Sequence, residues 1–246
     1  MTHQYRVPYG KSSIEFVLPR AMQGTVAISK PVEPLEDAWA AIQNSLAFPI
    51  GAPRLRELAR KGQRVCIVFT DITRSSPDHL LVPALLGELE LCGVRDEDIT
   101  LLCGTGIHRA STPDEKVTKL GSNTVQRYRV VDNEPQDPAA LVDLGATSGG
   151  VPVVVHHAVV ESDLVKTTGI VEPHQYAGYS GGRKTLAFGA AGEATIEKTH
   201  GTEFVDHPGT RLGRIDGNPF HEAVTQAARM AGLKFILNVV LDAEKR

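Results

Sequence analysis

From Arg64 to Phe69 the chain reads Arg-Val-Cys-Ile-Val-Phe, an apolar run without polar alternation. A strand with one face in water alternates; a continuous apolar run needs cover on both faces. Gly62 precedes the run and the polar loop Thr70-Asp-Ile-Thr-Arg-Ser-Ser-Pro77 comes after it, which bounds a short buried strand. Asp78–Leu91 then reads as a helix and Asp98–Cys103 as a second strand. Strand, helix and strand at this short spacing predict an α/β domain with a mostly parallel sheet flanked by helices.

The rest of the chain extends that pattern. Val125–Val131 is predicted as a third strand, Val151–His156 as a fourth and Asp163–Thr168 as a fifth, with Lys234–Leu241 as the last. Leu35–Ala47 has apolar residues at helical spacing, with Trp39 expected as a core anchor. Arg54–Lys61 reads as a short helix stopped by Gly62. Thr112 before Pro113 and Glu115 is a helix start, with a capping hydroxyl, Pro in the first turn and early acids. Asn218–Gly232 is amphipathic, and Ser12–Leu18 alternates as a half-buried strand. No internal repeat interrupts the 246 residues, enough for one large domain or two small ones.

In such sheets, ligands bind beyond the carboxyl ends of the strands. Three loops with chemical side chains fall there: Thr70–Arg74, Gly104–Arg109 and Val171–Lys184. Gly178, Gly181 and Gly182 allow close backbone approach, and Arg183 and Lys184 add positive charge. The residues predict an anion held at Ser180–Thr185, with His174 and His200 near enough to act on it. A lone histidine is ordinarily structural or on the surface, and His3, His79, His156, His157, His207 and His221 are read so. His108 lies in a turn and His174 follows Pro173; structural and catalytic roles both stay open for them. His200, at a helical end, reads alone as structural. Arg74 suits a carboxylate fork, and equally a surface ion pair. Gly178–Thr185 nearly matches a phosphate-binding P-loop, but Arg183 stands where that loop needs glycine.

The net charge of −3, with no basic block, argues against a nucleic-acid surface. No apolar run reaches ~18 residues, so no membrane span is expected, and the first residues carry no apolar leader. Cys66 and Cys103 lie in apolar runs as buried thiols, and a reducing cytoplasm fits.

Thr70–Pro77, Gly104-Thr-Gly-Ile-His108-Arg109, Glu172-Pro-His174 through Gly-Gly-Arg-Lys184, Thr199-His200 and Gly217-Asn-Pro219 together resemble the lactate racemase family, the nickel-pincer nucleotide enzymes. The match runs from about Ser12 to the C-terminus. It implies a Rossmann-like sheet and a racemase or epimerase of a small 2-hydroxy acid, acting by hydride abstraction and return through a transient keto acid. The implied cofactor is pyridinium-3-thioamide-5-thiocarboxylic acid mononucleotide with nickel, tethered through Lys184. His200 would be the metal ligand and His108 and His174 the alternating base and acid. Arg74 would hold the substrate carboxylate, while Asp71 and the turn Ser180, Gly181, Gly182 and Arg183 would help hold the cofactor. Ser75 and Asn133-Glu134 depart from the family's usual Pro and Asn-His. The family extends into a second lobe, so residues 1–246 are expected to be the N-terminal cofactor-binding lobe. The implied partners are a C-terminal lobe, in cis or in trans, and the cofactor-biosynthesis enzymes. Two other readings compete: a non-catalytic nucleotide- or anion-binding module, and a metal-dependent hydrolase with His108, His174 and His200 as ligands.

Overall fold

The structure, a computed structural model, describes all residues except 1–3, 11, 28, 29, 31, 243 and 246, and His3 lies outside the described residues. The chain divides into two units, Met1–Pro34 and Leu35–Arg246.

In the first unit, β1 (Gln4–Tyr9) pairs antiparallel with β2 (Ser12–Val17), with Gln4 opposite Val17 and Tyr9 opposite Ser12. Tyr5 stacks on Phe16 at 5.7 Å. The expected half-buried strand is instead one arm of an exposed ribbon: Ile14 and Phe16 are 44% and 40% exposed. A two-stranded ribbon has no second layer of its own to cover an apolar face.

The second unit begins with α1 (Ala38–Ala47), capped by Asp37, whose Oδ1 accepts from the Ala40 N–H at 2.9 Å. Then come α2 (Leu55–Leu58), β3 (Val65–Thr70), α3 (Asp78–Leu91), β4 (Ile99–Gly104), α4 (Pro113–Leu120), α5 (Ser122–Arg127) and β5 (Arg129–Asp132). They are followed by β6 (Leu141–Ala146), β7 (Pro152–His156), α6 (His157–Val160), β8 (Leu164–Ile170) and the two-residue strands β9 (Pro173–His174) and β10 (Gly178–Tyr179). The chain continues through α7 (Gly182–Lys184), a π-helical turn Thr185–Gly189, α8 (Glu193–His200), α9 (Thr202–Val205), α10 (Pro219–Met230) and β11 (Leu233–Val239). Five strands form one parallel sheet in the order β11-β8-β3-β4-β5. β3 is buried at every position, as its unbroken apolar run requires. Val65, Ile67 and Phe69 enter the core beside α3, and Cys66 and Val68 enter the opposite core beside α10. Burial pushes the Cys66 and Cys103 thiols up to about 12, so both are inert packing groups.

Three expectations change. Val125–Val131 splits into α5 and β5, because Leu120, Thr124 and Tyr128 bury at a four-residue spacing that suits a helix. Val151–His156 does form a strand, yet β7 leaves the main sheet and pairs antiparallel with β6, which the sequence reading missed. An antiparallel partner needs only the short Thr147–Val151 connection, whereas joining the parallel sheet needs a crossover. Trp39 is 46% exposed and anchors no core, because α1 buries Ile42 and Leu46 while Trp39 stands in its first turn. No helix of the described residues is long and apolar enough to cross a membrane.

Candidate active site

The loops after β3, β4 and β8 converge on a cleft of about 840 Å³ at the carboxyl edge of the sheet. Arg74, His108, His174, Lys184 and His200 all line it.

The β3 loop rests on a buried network. Lys119 of α4 donates to Asp78 Oδ2 at 2.8 Å, Thr70 Oγ1 at 2.9 Å, the Ser76 carbonyl at 2.8 Å and the Arg74 carbonyl at 3.1 Å. Asp78, fully buried, also accepts from Thr70 Oγ1 at 2.6 Å and Thr168 Oγ1 at 2.5 Å. Every oxygen of the pair is thus satisfied, which a buried charge requires. Arg74 is carried above this network, and its guanidinium meets no hydrogen-bond or ion-pair partner among the described residues. Asp71 Oδ1 accepts from Thr73 Oγ1, and its Oδ2 accepts from His108 Nδ1, both at 2.7 Å. The carboxylate that the resemblance assigns to the cofactor therefore orients His108, leaving Nε2 to face outward. His108 itself sits on a turn that needs glycines. Gly106 has φ +57°, and a Cβ on Gly104 would lie 3.1 Å from the Phe69 carbonyl.

The β8 loop closes on itself. Ser180 Oγ donates to the Ile170 carbonyl at 2.6 Å and accepts from the Glu172 N–H at 2.8 Å, so this hydroxyl already serves the loop. The glycines answer mainly to close packing within the protein. A Cβ on Gly178 would come 2.0 Å from the Arg214 carbonyl, and one on Gly182 2.3 Å from Thr167 Oγ1. Gly181, at φ +121°, does line the cleft. Gly182 and Arg183 do not line it: the Gly182 N–H donates to Asn238 Oδ1 at 3.0 Å. Arg183 Nη1 donates to His221 Nε2 at 2.9 Å and Thr225 Oγ1 at 2.8 Å, tying α7 to α10. His221, read as structural from sequence, is structural in this sense.

His174 Nδ1 accepts from two backbone N–H groups, of Tyr176 at 3.1 Å and Ala177 at 3.2 Å. Its proton therefore sits on Nε2, which lies 2.6 Å from Lys184 Nζ. An N–H facing an ammonium makes no hydrogen bond, so this contact belongs to the free amine of Lys184. Burial, then the charge of Arg74, lowers Lys184 to about 8, so about a tenth of it is free amine at pH 7. The ammonium that predominates there must turn from His174 or change the ring's tautomer. Burial, then Lys184, lowers His174 to about 4.

His200 closes α8 with its Nδ1 on the Ile196 carbonyl at 2.9 Å, which leaves Nε2 as the bare nitrogen. Tyr176, Phe188 and Phe220 pack around the ring with centroids at 6.0, 5.3 and 5.3 Å. Burial is the first cause that lowers its pKa. A neutral imidazole with one nitrogen on a carbonyl is the form in which histidine binds a metal. Sequence reasoning missed the three aromatic neighbours; their only signal is a scatter of aromatics in otherwise small-residue stretches. Among the described residues no group of three His, Cys, Asp or Glu side chains is placed to hold a metal ion, which counts against the three-histidine hydrolase reading.

Residues 9–213 match the family described as the Lactate racemase N-terminal domain. The chain belongs to that family. The lactate racemase of Lactiplantibacillus plantarum is 38% identical over 205 residues, which are 83% of this chain and 48% of the relative. That of Thermoanaerobacterium thermosaccharolyticum is 32% identical over 248 residues, or 98% and 57%. The structure of the T. thermosaccharolyticum lactate racemase apoprotein superposes with a TM-score of 0.87 at 32% identity, covering 99% of this chain and 57% of that one. A Thermotoga maritima protein shares the fold at a TM-score of 0.68 and 24% identity, over 89% of this chain and 53% of that one. The chain spans about half the length of the curated lactate racemases it matches.

Proposed function

We propose that this chain is the N-terminal, cofactor-binding lobe of a racemase or epimerase of a small 2-hydroxy acid, working with a nickel-pincer nucleotide. The observation that carries the reading is that one cleft joins an amine without a carboxylate partner, Lys184, to an aromatic-walled imidazole with a bare nitrogen, His200 Nε2. No three ligating side chains are gathered for a metal among the described residues, so a metal here would bring other ligands with it, as a pincer nucleotide does. Lys184 would hold the nucleotide through a thioamide and His200 would ligate its nickel. The chemistry the bound nucleotide supplies is hydride acceptance and return.

The chain's own residues do the rest. Arg74, free of other partners among the described residues, takes the substrate carboxylate in a bidentate fork. His108, oriented by Asp71, takes the hydroxyl proton of one enantiomer, and His174 serves the other from its own loop. A module that only binds an anion has no use for a carboxylate-oriented histidine, which favours the enzyme. Because a keto acid must be kept from bulk water, the reading includes a C-terminal lobe, in cis or in trans, and enzymes that make the nucleotide. The buried free thiols suit a reducing cytoplasm.

The test loads the chain by co-production with the cofactor-making enzymes, then follows lactate by chiral chromatography with and without the remaining lobe. The expected result is a nucleotide adduct on Lys184, nickel that depends on His200, and racemisation only when the second lobe is present. An active protein with unmodified Lys184 would overturn the reading.

A further inference from the structure

Lys184 differs from the other lysines that meet a titratable partner. Lys116, Lys119, Lys198 and Lys245 each pair with a carboxylate. Lys166 is sealed in the core. Among the described residues, Lys184 alone meets an imidazole N–H in an open cleft, and a second cation, Arg74, lines the same cleft with no partner of its own. A lysine without a carboxylate partner, half enclosed beside a second cation, gives up its proton more readily than an exposed one, which is the arrangement that makes lysine a nucleophile towards carbonyl carbons. The arginine adds a seat for a carboxylate, and the two groups together describe one ligand class.

We propose that unmodified Lys184 condenses with 2-oxo acids to form a reversible imine, with the acid's carboxylate on Arg74. Lys184 Nζ attacks C2, the C2–N bond forms, and the carbonyl oxygen takes a proton to give a carbinolamine. The nitrogen lone pair then expels that hydroxyl, which takes a proton from solvent in the open cleft and leaves as water while His174 Nε2–H hydrogen-bonds the departing oxygen, and the iminium nitrogen returns a proton to solvent. One amine and one ketone give one imine and one water, with no oxidant or reductant. The depressed pKa of Lys184 agrees with this role. The inference goes beyond the function proposed above and does not need it, since the imine forms on the bare chain. It does carry a consequence for that function: a 2-oxo acid and the nucleotide compete for the same amine, so free keto acid slows loading.

The experiment treats the nucleotide-free chain with pyruvate and cyanoborohydride, then maps adducts by peptide mass spectrometry. The expected result is one reduced pyruvate adduct on Lys184, with exposed Lys61 and Lys234 unmodified. Arg74→Gln should raise the half-saturating pyruvate concentration about tenfold, the cost of one charge-assisted contact. Trapping of acetone, which has no carboxylate, should fall by clearly less, since it loses only the effect of the Arg74 charge on the amine. Lys184→Arg should abolish the adduct while circular dichroism stays native. In the unmutated chain pyruvate should also protect Lys184 from acetylation, a readout that needs no variant to fold. Adducts spread over surface lysines, or no protection of Lys184, would overturn the proposal. No cofactor is present, so failure here leaves the racemase reading standing, and failure of that reading leaves the imine standing.

Discussion

His108 and His174 line the same cleft, yet they are held by opposite kinds of partner. A carboxylate, Asp71, accepts from His108 Nδ1, while two backbone N–H groups donate to His174 Nδ1. One ring nitrogen thus gives its proton to a hydrogen bond and the other offers its lone pair, which fixes opposite tautomers. The supports beneath them differ in the same way. The β3 loop stands on a buried lysine–aspartate pair, and the β8 loop on its own hydrogen bonds and on glycines packed closely against Arg214 and Thr167. Two histidines that look interchangeable in the sequence are therefore unequal before any ligand arrives. His108 is oriented by a carboxylate, with Nε2 left free of it. His174 is a neutral donor next to an amine.

The largest effect should come from cutting the charged support. Lys119→Met leaves Asp78 buried without its cation and should cost about 3–5 kcal/mol in urea unfolding. A cost under ~1 kcal/mol would show that the pair does not anchor the loop. Next, if the proposed function holds, Asp71→Asn should lower racemase turnover of the loaded, two-lobed protein about a hundredfold, since the amide would no longer orient His108 as the proposed base. Unfolding should barely change, and equal losses of stability and turnover would make Asp71 a packing residue.

A smaller effect separates the backbone-held histidine. Folded His174 titrates near about 4, against 6.5 for the ordinary side chain. Between those values the unfolded chain binds the extra proton, so stability falls as pH drops from about 6.5 towards about 4. His156, also lowered to about 4 by burial, contributes in the same window. The difference between the parent chain and His174→Gln isolates His174, and should be on the order of 1 kcal/mol because partial solvent access screens it. Identical pH slopes would refute the assignment. The smallest change is spectroscopic. Acetylating Lys184 removes its charge, so NMR should find the His174 pKa raised from about 4 yet short of 6.5, because burial, the larger cause, remains. No movement would mean that the two side chains are not in contact.

Much of the candidate site was legible because its residues fall at strand exits. A run such as Val65–Phe69 declares a buried strand, and the loops after parallel strands emerge at one edge of the sheet. Strand order along the chain thus gathers Arg74, His108, His174 and Lys184 at a single edge. The place of Arg183 was not legible, because charge beside a lysine looks the same whether it faces a ligand or Thr225; one residue along α7 turns it to the other side. Gly178 and Gly182 read as a ligand cradle, and most of their constraint proves to be contact with Arg214 and Thr167. Lys166 gave no warning either. It sits fully buried in β8 without a hydrogen-bond partner for Nζ among the described residues, and burial holds its amine well below the ordinary lysine value.

By itself the sequence determined the parallel α/β architecture, its helix starts at Thr112 and Asn218, and the edge of the sheet where the chemistry collects. These come from periodicity and capping, which act over a few residues. Only the tertiary structure decided that Asp71 belongs to His108, that Lys119 and Asp78 carry the loop beneath Arg74, and that β7 leaves the main sheet for β6. Lys119 and Arg74 are 45 positions apart along the chain, and Asp71 and His108 are 37. No local preference encodes such pairs; they form when packing brings distant segments together and a buried charge must find its partner.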